Sequence, residues 1–190
     1  MRVKVSYNPG DVEPFGQGFA VASPFEARFE PGQDEDPPYA ITLRAAYREG
    51  RFVVESLCAE RLPKGEPVTS EGMRGLAIPT LLREVTLLSL LQSEERSPSG
   101  SRRSPIDLPD LRELAADGVT DEVLRYVALV YRLGFAVSYA PTGEVVKAFG
   151  ISRATAGRWI AQARERGYLG KAQERRAGEQ VARARKKGRR

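Results

Sequence analysis

Apolar and polar residues alternate in three stretches of the first sixty residues, which is the period of a half-buried β-strand. The alternation covers residues 2–7, 25–30 and 39–47, and a further strand is predicted over Arg51–Glu60 after the turn at Arg48–Gly50. The last two strands form the clearest hairpin pattern in the chain. Cys58 lies inside that hairpin and is predicted to be a small core residue. Residues 31–38 are predicted to be a loop by composition.

From Val68 onward the apolar residues recur at helical spacing. A helix start is possible at Thr69–Gly72, Pro79 interrupts the pattern, and a helix is predicted from Leu81 to about Gln92. Leu87 and Leu90 widen its apolar face, so another surface must cover it. Packing on the preceding sheet is the favoured interpretation, and dimerisation through the surplus face is the alternative.

Residues 94–105 are rich in Ser, Pro, Gly and charge without a period, which predicts a linker. A short helix ending near Gly118 is predicted next, then a helix over Glu122–Leu133 that is capped by Thr120 or Asp121 and stopped by Gly134. The predicted fold class is therefore α+β. A small antiparallel β-sheet with a helix occupies 1–93, and an all-α, three-helix domain occupies 106–170, followed by a flexible basic tail over 171–190.

Residues 142–167 predict two short helices joined by a tight turn. Val145, Val146 and Phe149 form the apolar face of the first helix, Gly150 is placed to cap its C-terminus, and Ile151 fills the corner. Ser152 is a favourable N-cap for the second helix. On that helix one buried stripe is predicted at i, i+3, i+4 and i+7, formed by Ala156, Trp159, Ile160 and Ala163.

The opposite face of the second helix combines small residues with Arg and Gln. Small residues allow a helix to approach base edges closely, and Arg and Gln can read those edges through paired hydrogen bonds. This pattern is typical of a DNA-binding helix-turn-helix, and the alternative is a helical pair that only packs. The predicted DNA-binding residues on the helix are Ser152, Arg153, Ala154, Thr155, Gly157, Arg158, Gln162 and Arg164.

Residues 150–156, GISRATA, resemble the G-[VI]-S-x-x-[TS]-[VA] turn of DNA-binding helix-turn-helix proteins, with Trp159 at the usual apolar position. Residues 159–169 are similar to the end of this motif in small helix-turn-helix proteins of high-GC Gram-positive bacteria and their phages. The likeness covers about residues 119–170, and Val146 stands where these motifs most often have Ala. The resemblance implies a helix that enters the major groove of DNA.

Charge is distributed unevenly along the chain. Residues 151–190 contain 13 basic and three acidic side chains, a net charge of +10, whereas residues 1–150 contain 17 basic and 22 acidic ones, a net charge of −5. A basic segment beside a helix-turn-helix favours contact with a polyanion over a merely solvated tail. Lys171, Arg175 and Arg176 are therefore predicted to contact DNA phosphates.

These patterns predict a DNA-binding protein that regulates transcription, in the cytoplasm and associated with the nucleoid. The alternative is an adaptor or packaging subunit of a phage or mobile element that binds DNA weakly and acts mainly through a protein partner. Double-stranded DNA is the expected partner, and the N-terminal region is a candidate for homodimerisation or for binding another protein. The chain has no His, so catalysis and metal binding are not expected, and no cofactor or membrane contact is predicted.

Overall fold

A computed structural model describes residues 2–16, 18–31, 38–93, 103–105, 108–116, 118–137 and 140–171. The chain divides into two compact units, one formed by residues 1–110 with 136–138 and the other by residues 111–135 with 139–190. Within the described residues there are eight strands and six helices. In order they are β1 Arg2–Ser6, β2 Val12–Gly16, β3 Phe19–Ala22, β4 Phe25–Glu30, β5 Tyr39–Arg48, β6 Arg51–Arg61, α1 Ser70–Gly75, α2 Ile78–Leu88, β7 Leu90–Ser93, β8 Arg103–Pro105, α3 Leu111–Leu114, α4 Asp121–Ala136, α5 Pro141–Phe149 and α6 Arg153–Glu165.

The first unit contains two antiparallel sheets of four strands each. One has the order β1-β4-β5-β6 and the other the order β2-β3-β7-β8. The four strands of the first sheet are those predicted from the sequence, β1, β4 and β5 from the alternating pattern and β6 from the hairpin turn. Their alternation places one set of side chains in the core, and among the fully buried ones are Phe25, Ala27, Phe29, Ile41, Leu43 and Ala45.

The second sheet was not predicted. Its strands β2 and β3 lie in and directly after the Pro- and Gly-rich stretch. They are five and four residues long and show no clean alternation. Strand β7 begins at Leu90, which was expected on a helix, and pairs with β3 and β8. Leu90 and Leu91 are both buried, so β7 is covered on both of its faces. Such a short apolar run shows no period, and the sequence therefore did not distinguish this strand from the end of a helix.

The predicted fold class was wrong in its division of the chain. The N-terminal part contains two sheets and two helices instead of one small sheet with a helix. Strand β8 lies beyond residue 93 and pairs with β7, so the region that follows the first predicted domain is not an all-α domain. The second unit contains four helices, α3 to α6, within its described residues.

Pro79 opens helix α2 and does not interrupt a longer one. It occupies one of the first two positions of the helix, where its missing N–H costs no hydrogen bond. Leu81, Leu82 and Val85 are buried, whereas Leu87 and Leu88 are 43% and 51% exposed. The fold therefore covers one side of α2 and leaves the two leucines of its last turn in solvent. No described helix combines the length and the apolar character that a membrane crossing requires.

Cys58 is exposed, so its prediction as a core residue was wrong. The reason is a β-bulge in β6: Arg44 lies opposite Ser56 and Ala45 lies opposite Val54, which leaves Glu55 as the extra residue. A bulge shifts the alternation by one position. Side chains at even positions point inward before Glu55, and those at odd positions point inward after it.

Two arginines of β5 donate hydrogen bonds to the carboxylate of the bulge residue Glu55. Arg48 Nη2 donates to Glu55 Oε1 at 2.7 Å, and Arg44 Nε donates to Glu55 Oε2 at 3.3 Å. The hydrogen bond from Arg48 and the weaker one from Arg44 lower the pKa of the Glu55 carboxyl group. The bulge therefore carries a carboxylate that is already neutralised within its own sheet.

Candidate nucleic-acid interface

Helices α5 and α6 form the predicted pair with a three-residue turn between them. Helix α5 ends at Phe149, and Gly150 follows in the left-handed conformation with φ 64° and ψ 28°. This conformation is disfavoured for a residue with a side chain, so glycine is required for the sharp change of direction. Ile151 is partly buried against the core of this unit, as predicted for the residue that fills the corner.

Ser152 caps α6 as its sequence position predicted. Its Oγ accepts a hydrogen bond from the backbone N–H of Thr155 at 3.1 Å, and it exchanges a second hydrogen bond with Thr155 Oγ1 at 2.9 Å. The cap satisfies one of the backbone donors that are left without a partner at a helix start. The cap fixes the residue at which α6 begins and therefore the direction of its first turn.

The inner face of α6 is the predicted stripe. Ala156, Trp159, Ile160 and Ala163 are all buried, and they share one core with Val145 and Phe149 of α5 and with Val123, Leu124 and Val127 of α4. The rings of Phe149 and Trp159 meet edge to face, with their centroids 5.7 Å apart and their planes at 86°. This contact joins the two helices directly behind the turn.

The outer face of α6 is in solvent. Arg153, Ala154, Gly157, Arg158 and Gln162 are all exposed. A Cβ atom added at Gly157 would meet no other atom within 4 Å, so the fold itself does not require glycine there. Between the two arginines the face carries almost no side-chain bulk, which leaves a shallow, basic and unobstructed surface.

Thr155 links the cap to the outer arginine. It is partly buried, and its Oγ1 accepts a hydrogen bond from Arg158 Nη2 at 3.2 Å while it also contacts Ser152 Oγ. Ser152, Thr155 and Arg158 thus form one chain of hydrogen bonds along the first two turns of α6. The chain restricts the orientation of the Arg158 side chain and lies next to the basic face.

Arg164 is separated from the other predicted residues. Its Nη1 donates to the backbone oxygen of Gly170 at 2.7 Å, its Nη2 donates to the Tyr131 hydroxyl at 3.2 Å, and its guanidinium lies 5.2 Å from the centre of the Tyr131 ring. These contacts tie the end of α6 and the following turn to α4. The structure therefore gives Arg164 a packing role, and it is not grouped with the outer face.

The three predicted phosphate contacts in the tail are only partly described. Lys171 is exposed and directly follows the turn at Gly167–Gly170. Arg175 and Arg176 lie outside the described residues. Within the described part of the chain, the outer face of α6 is thus the surface where the predicted residues are brought together.

Arg112 is a basic residue beside this surface that the sequence pattern did not indicate. It lies on α3, is exposed, and a Cβ atom added at Gly150 would lie 3.3 Å from its Nε. Its side chain therefore lies over the turn between α5 and α6. The two residues are 38 positions apart, so no local pattern could have placed them together.

No family model, no curated protein and no solved structure matches this chain. The described residues also contain no group of three or more His, Cys, Asp or Glu side chains that could hold a metal ion. The outer face of α6 offers the hydrogen-bond donors of Arg153, Arg158 and Gln162, which are exposed. Such a surface suits recognition of a polyanion with exposed acceptor groups.

Proposed function

We propose that the chain is a sequence-specific DNA-binding protein that regulates transcription, and that α6 lies in the major groove of its site. The observation that carries this proposal is the outer face of α6, where two arginines and a glutamine flank Ala154 and Gly157 on a helix fixed by a cap and a buried stripe. A recognition helix with accessible N-terminal residues is how helix-turn-helix proteins contact base edges.

In this proposal each residue of the face has a distinct role. Arg153 and Arg158 contact bases or phosphates, and Gln162 supplies a further polar contact one turn later. Ser152, Thr155 and the first backbone amides of α6 position the helix against the DNA backbone. Ala154 and Gly157 allow close approach. Lys171, Arg175 and Arg176 add phosphate contacts that strengthen binding without reading sequence, and cytoplasmic, nucleoid-associated localisation belongs to the same proposal.

One helix of this size reads few base pairs, so specificity requires a second copy or a partner. The N-terminal region is the candidate for either. The alternative function, an adaptor or packaging subunit that docks weakly on DNA, predicts binding with no preference for sequence.

The test compares Arg158→Ala with Arg158→Lys and with Arg74→Ala, measured by fluorescence anisotropy on a selected duplex and on unrelated duplexes. Arg74 is exposed on α1, so Arg74→Ala removes the same charge elsewhere in the chain. We expect Arg158→Ala to weaken specific binding by about 1–3 kcal/mol. Arg158→Lys should recover little of this loss, because lysine lacks the guanidinium fork.

An Arg74→Ala variant should bind as the wild type does. Equal weakening of all duplexes by Arg158→Ala would make Arg158 a phosphate contact. Undiminished binding by Arg158→Ala would remove α6 from the interface and contradict the proposal.

A further inference from the structure

The two arginines on the outer face of α6 occupy different parts of that face. A helix turns by about 100° per residue, so the position of each side chain around the axis follows from the sequence. The line directly opposite the centre of the buried stripe passes close to Ala154 and about 30° from Arg158. Arg153 lies about 110° from the same line. Arg158 is therefore near the middle of the outer face, and Arg153 is at its margin.

These two positions meet different parts of a duplex. When a helix enters the major groove with its buried stripe turned away from the DNA, the middle of its outer face points at the floor of the groove and its margins point at the phosphate backbones. Base edges line the floor and carry sequence information that phosphates lack. The middle position favours a base contact for Arg158, and the marginal position favours a phosphate contact for Arg153.

The hydrogen bonds of the two arginines differ in the same sense. Arg158 Nη2 donates to Thr155 Oγ1 at 3.2 Å, whereas Arg153 makes no hydrogen bond or ion pair within the described residues. Thr155 lies at the boundary between the outer face and the buried stripe, and its side chain is partly buried. A restrained guanidinium suits a base contact, which requires precise geometry, and an unrestrained one suits the less demanding contact with a charged phosphate.

Thr155 is itself held by the cap of α6. Ser152 Oγ lies 2.9 Å from Thr155 Oγ1 and accepts a hydrogen bond from the Thr155 backbone N–H at 3.1 Å. A threonine hydroxyl inside a helix often bonds to a backbone carbonyl one turn earlier. Here the hydroxyl instead joins the cap to Arg158, so the orientation of that arginine is linked to the residue at which α6 begins.

The bond to Thr155 leaves Arg158 able to read a base. A guanidinium offers two parallel pairs of N–H groups, one from Nε with Nη2 and one from Nη1 with Nη2. Thr155 uses one of the two hydrogens on Nη2, so one complete pair remains. A parallel pair of donors matches O6 and N7 of guanine, which are both acceptors in the major groove. Adenine presents one donor and one acceptor there, so it would lose one of the two hydrogen bonds.

We propose that Thr155 is a positioning residue that orients Arg158 for a paired hydrogen bond with guanine, and that Arg153 contacts phosphate. Thr155 does not read the base. It reduces the number of orientations that Arg158 loses on binding, which lowers the free-energy cost of forming the contact. The inference rests on the proposed function and adds to it which arginine reads the sequence and which residue orients that arginine.

The test uses the full chain in competition anisotropy, with the selected duplex and with duplexes in which one base pair at a time is changed. The wild type should prefer G·C at one position by about tenfold or more, and Arg158→Ala should abolish that preference. Thr155→Val keeps the branched shape without the hydroxyl and should reduce the preference at the same base pair to about threefold or less. Thr155→Ser keeps the hydroxyl and should retain the preference.

A double-mutant cycle separates an effect through Arg158 from an independent contact with DNA. In the Arg158→Ala background, Thr155→Val should change the affinity for the selected duplex by less than about twofold. An additive loss in the double variant, or the full preference retained by Thr155→Val, would overturn the inference.

Urea denaturation tests for a merely structural effect of Thr155. Thr155→Ala is a second variant without the hydroxyl and should lose the preference as Thr155→Val does. Neither variant should unfold at a lower urea concentration than Thr155→Ser, because the cap uses the backbone N–H of this residue. A loss of preference only in variants that unfold earlier would overturn the positioning role.

Arg153→Ala is the matched control on the same face. It should weaken binding to all duplexes equally and lower the slope of log K against log salt concentration by about one. A loss confined to one base pair would overturn the assignment of Arg153 to phosphate.

The two proposals fail in different ways. A wild type without preference at any base pair would contradict the proposed function and this inference with it. A preference that disappears in Arg158→Ala but persists in Thr155→Val would contradict this inference alone.

Discussion

At Gly157 the requirements of the helix and of the proposed function differ. Glycine inside a helix is less favourable than alanine by about 0.5–1 kcal/mol, and a Cβ atom at this position would contact nothing in the fold. The fold would therefore gain from a larger residue. A surface that must approach base edges closely gives a physical reason for the absence of a side chain.

We expect Gly157→Ala to raise the free energy of unfolding by about 0.5–1 kcal/mol and to weaken binding to a selected duplex. Urea denaturation and fluorescence anisotropy measure the two effects on the same protein. Gly143→Ala on α5 is the matched control, because the added Cβ would make an ordinary 3.7 Å contact with Ala140. That control should leave DNA affinity unchanged. Tighter or equal binding by Gly157→Ala would show that this part of α6 does not approach DNA.

Residue-scale roles could be predicted where they depend on helical spacing alone. The buried stripe of α6, the cap at Ser152 and the left-handed Gly150 are all confirmed, because each follows from residues that lie within about two helical turns of one another in the sequence. Arg164 could not be placed in this way. Its contacts with Tyr131 and Gly170 depend on how α4 packs beside α6, and the local pattern carries no information about that packing.

Among the elements, helix α4 was predicted correctly, but its C-terminal boundary at Gly134 was wrong. This glycine was predicted to stop the long helix, but α4 continues to Ala136 with Gly134 buried inside it. The structure explains glycine there by close approach: a Cβ atom would lie 2.9 Å from Pro141 Cα and 3.0 Å from Glu144 Cγ. The residue allows the start of α5 to pack directly on α4.

Gly134→Ala should therefore destabilise the chain, although alanine is the better helix former. The expected loss is about 1–3 kcal/mol, the usual cost of forcing extra volume into a packed contact. Urea denaturation measures it, with Gly143→Ala again as the control that should not destabilise. A Gly134→Ala variant that is more stable than the wild type would mean that α4 and α5 do not approach as closely as described.

Strands could be predicted where apolar and polar residues alternate, as in β1, β4 and β5, or where a hairpin turn precedes the strand, as in β6. The strands β2, β3, β7 and β8 were missed because their three to five residues show no clean alternation. The bulge at Glu55 also could not be predicted from the sequence. Its one extra residue reverses which side chains of β6 point inward after Glu55, and Cys58 therefore lies on the surface.

For the whole molecule, charge and architecture indicate that the two ends of the chain have different roles. The basic last forty residues contain the proposed DNA-contacting helix, and the acidic remainder contains the two sheets. A dimer supplies two copies of α6, which would double the number of base pairs that the protein reads.

Binding-site selection from random duplex DNA tests the central claim most directly. It should be performed on the full chain and on a chain ending at Gly170, so that the recognition helix is separated from the basic tail. We predict that the same sequence motif is enriched by both chains, and that dimerisation makes it a palindrome. Failure to enrich any motif, with binding that disappears at moderate salt or with the tail, would contradict sequence recognition by α6 and leave only electrostatic contact with DNA.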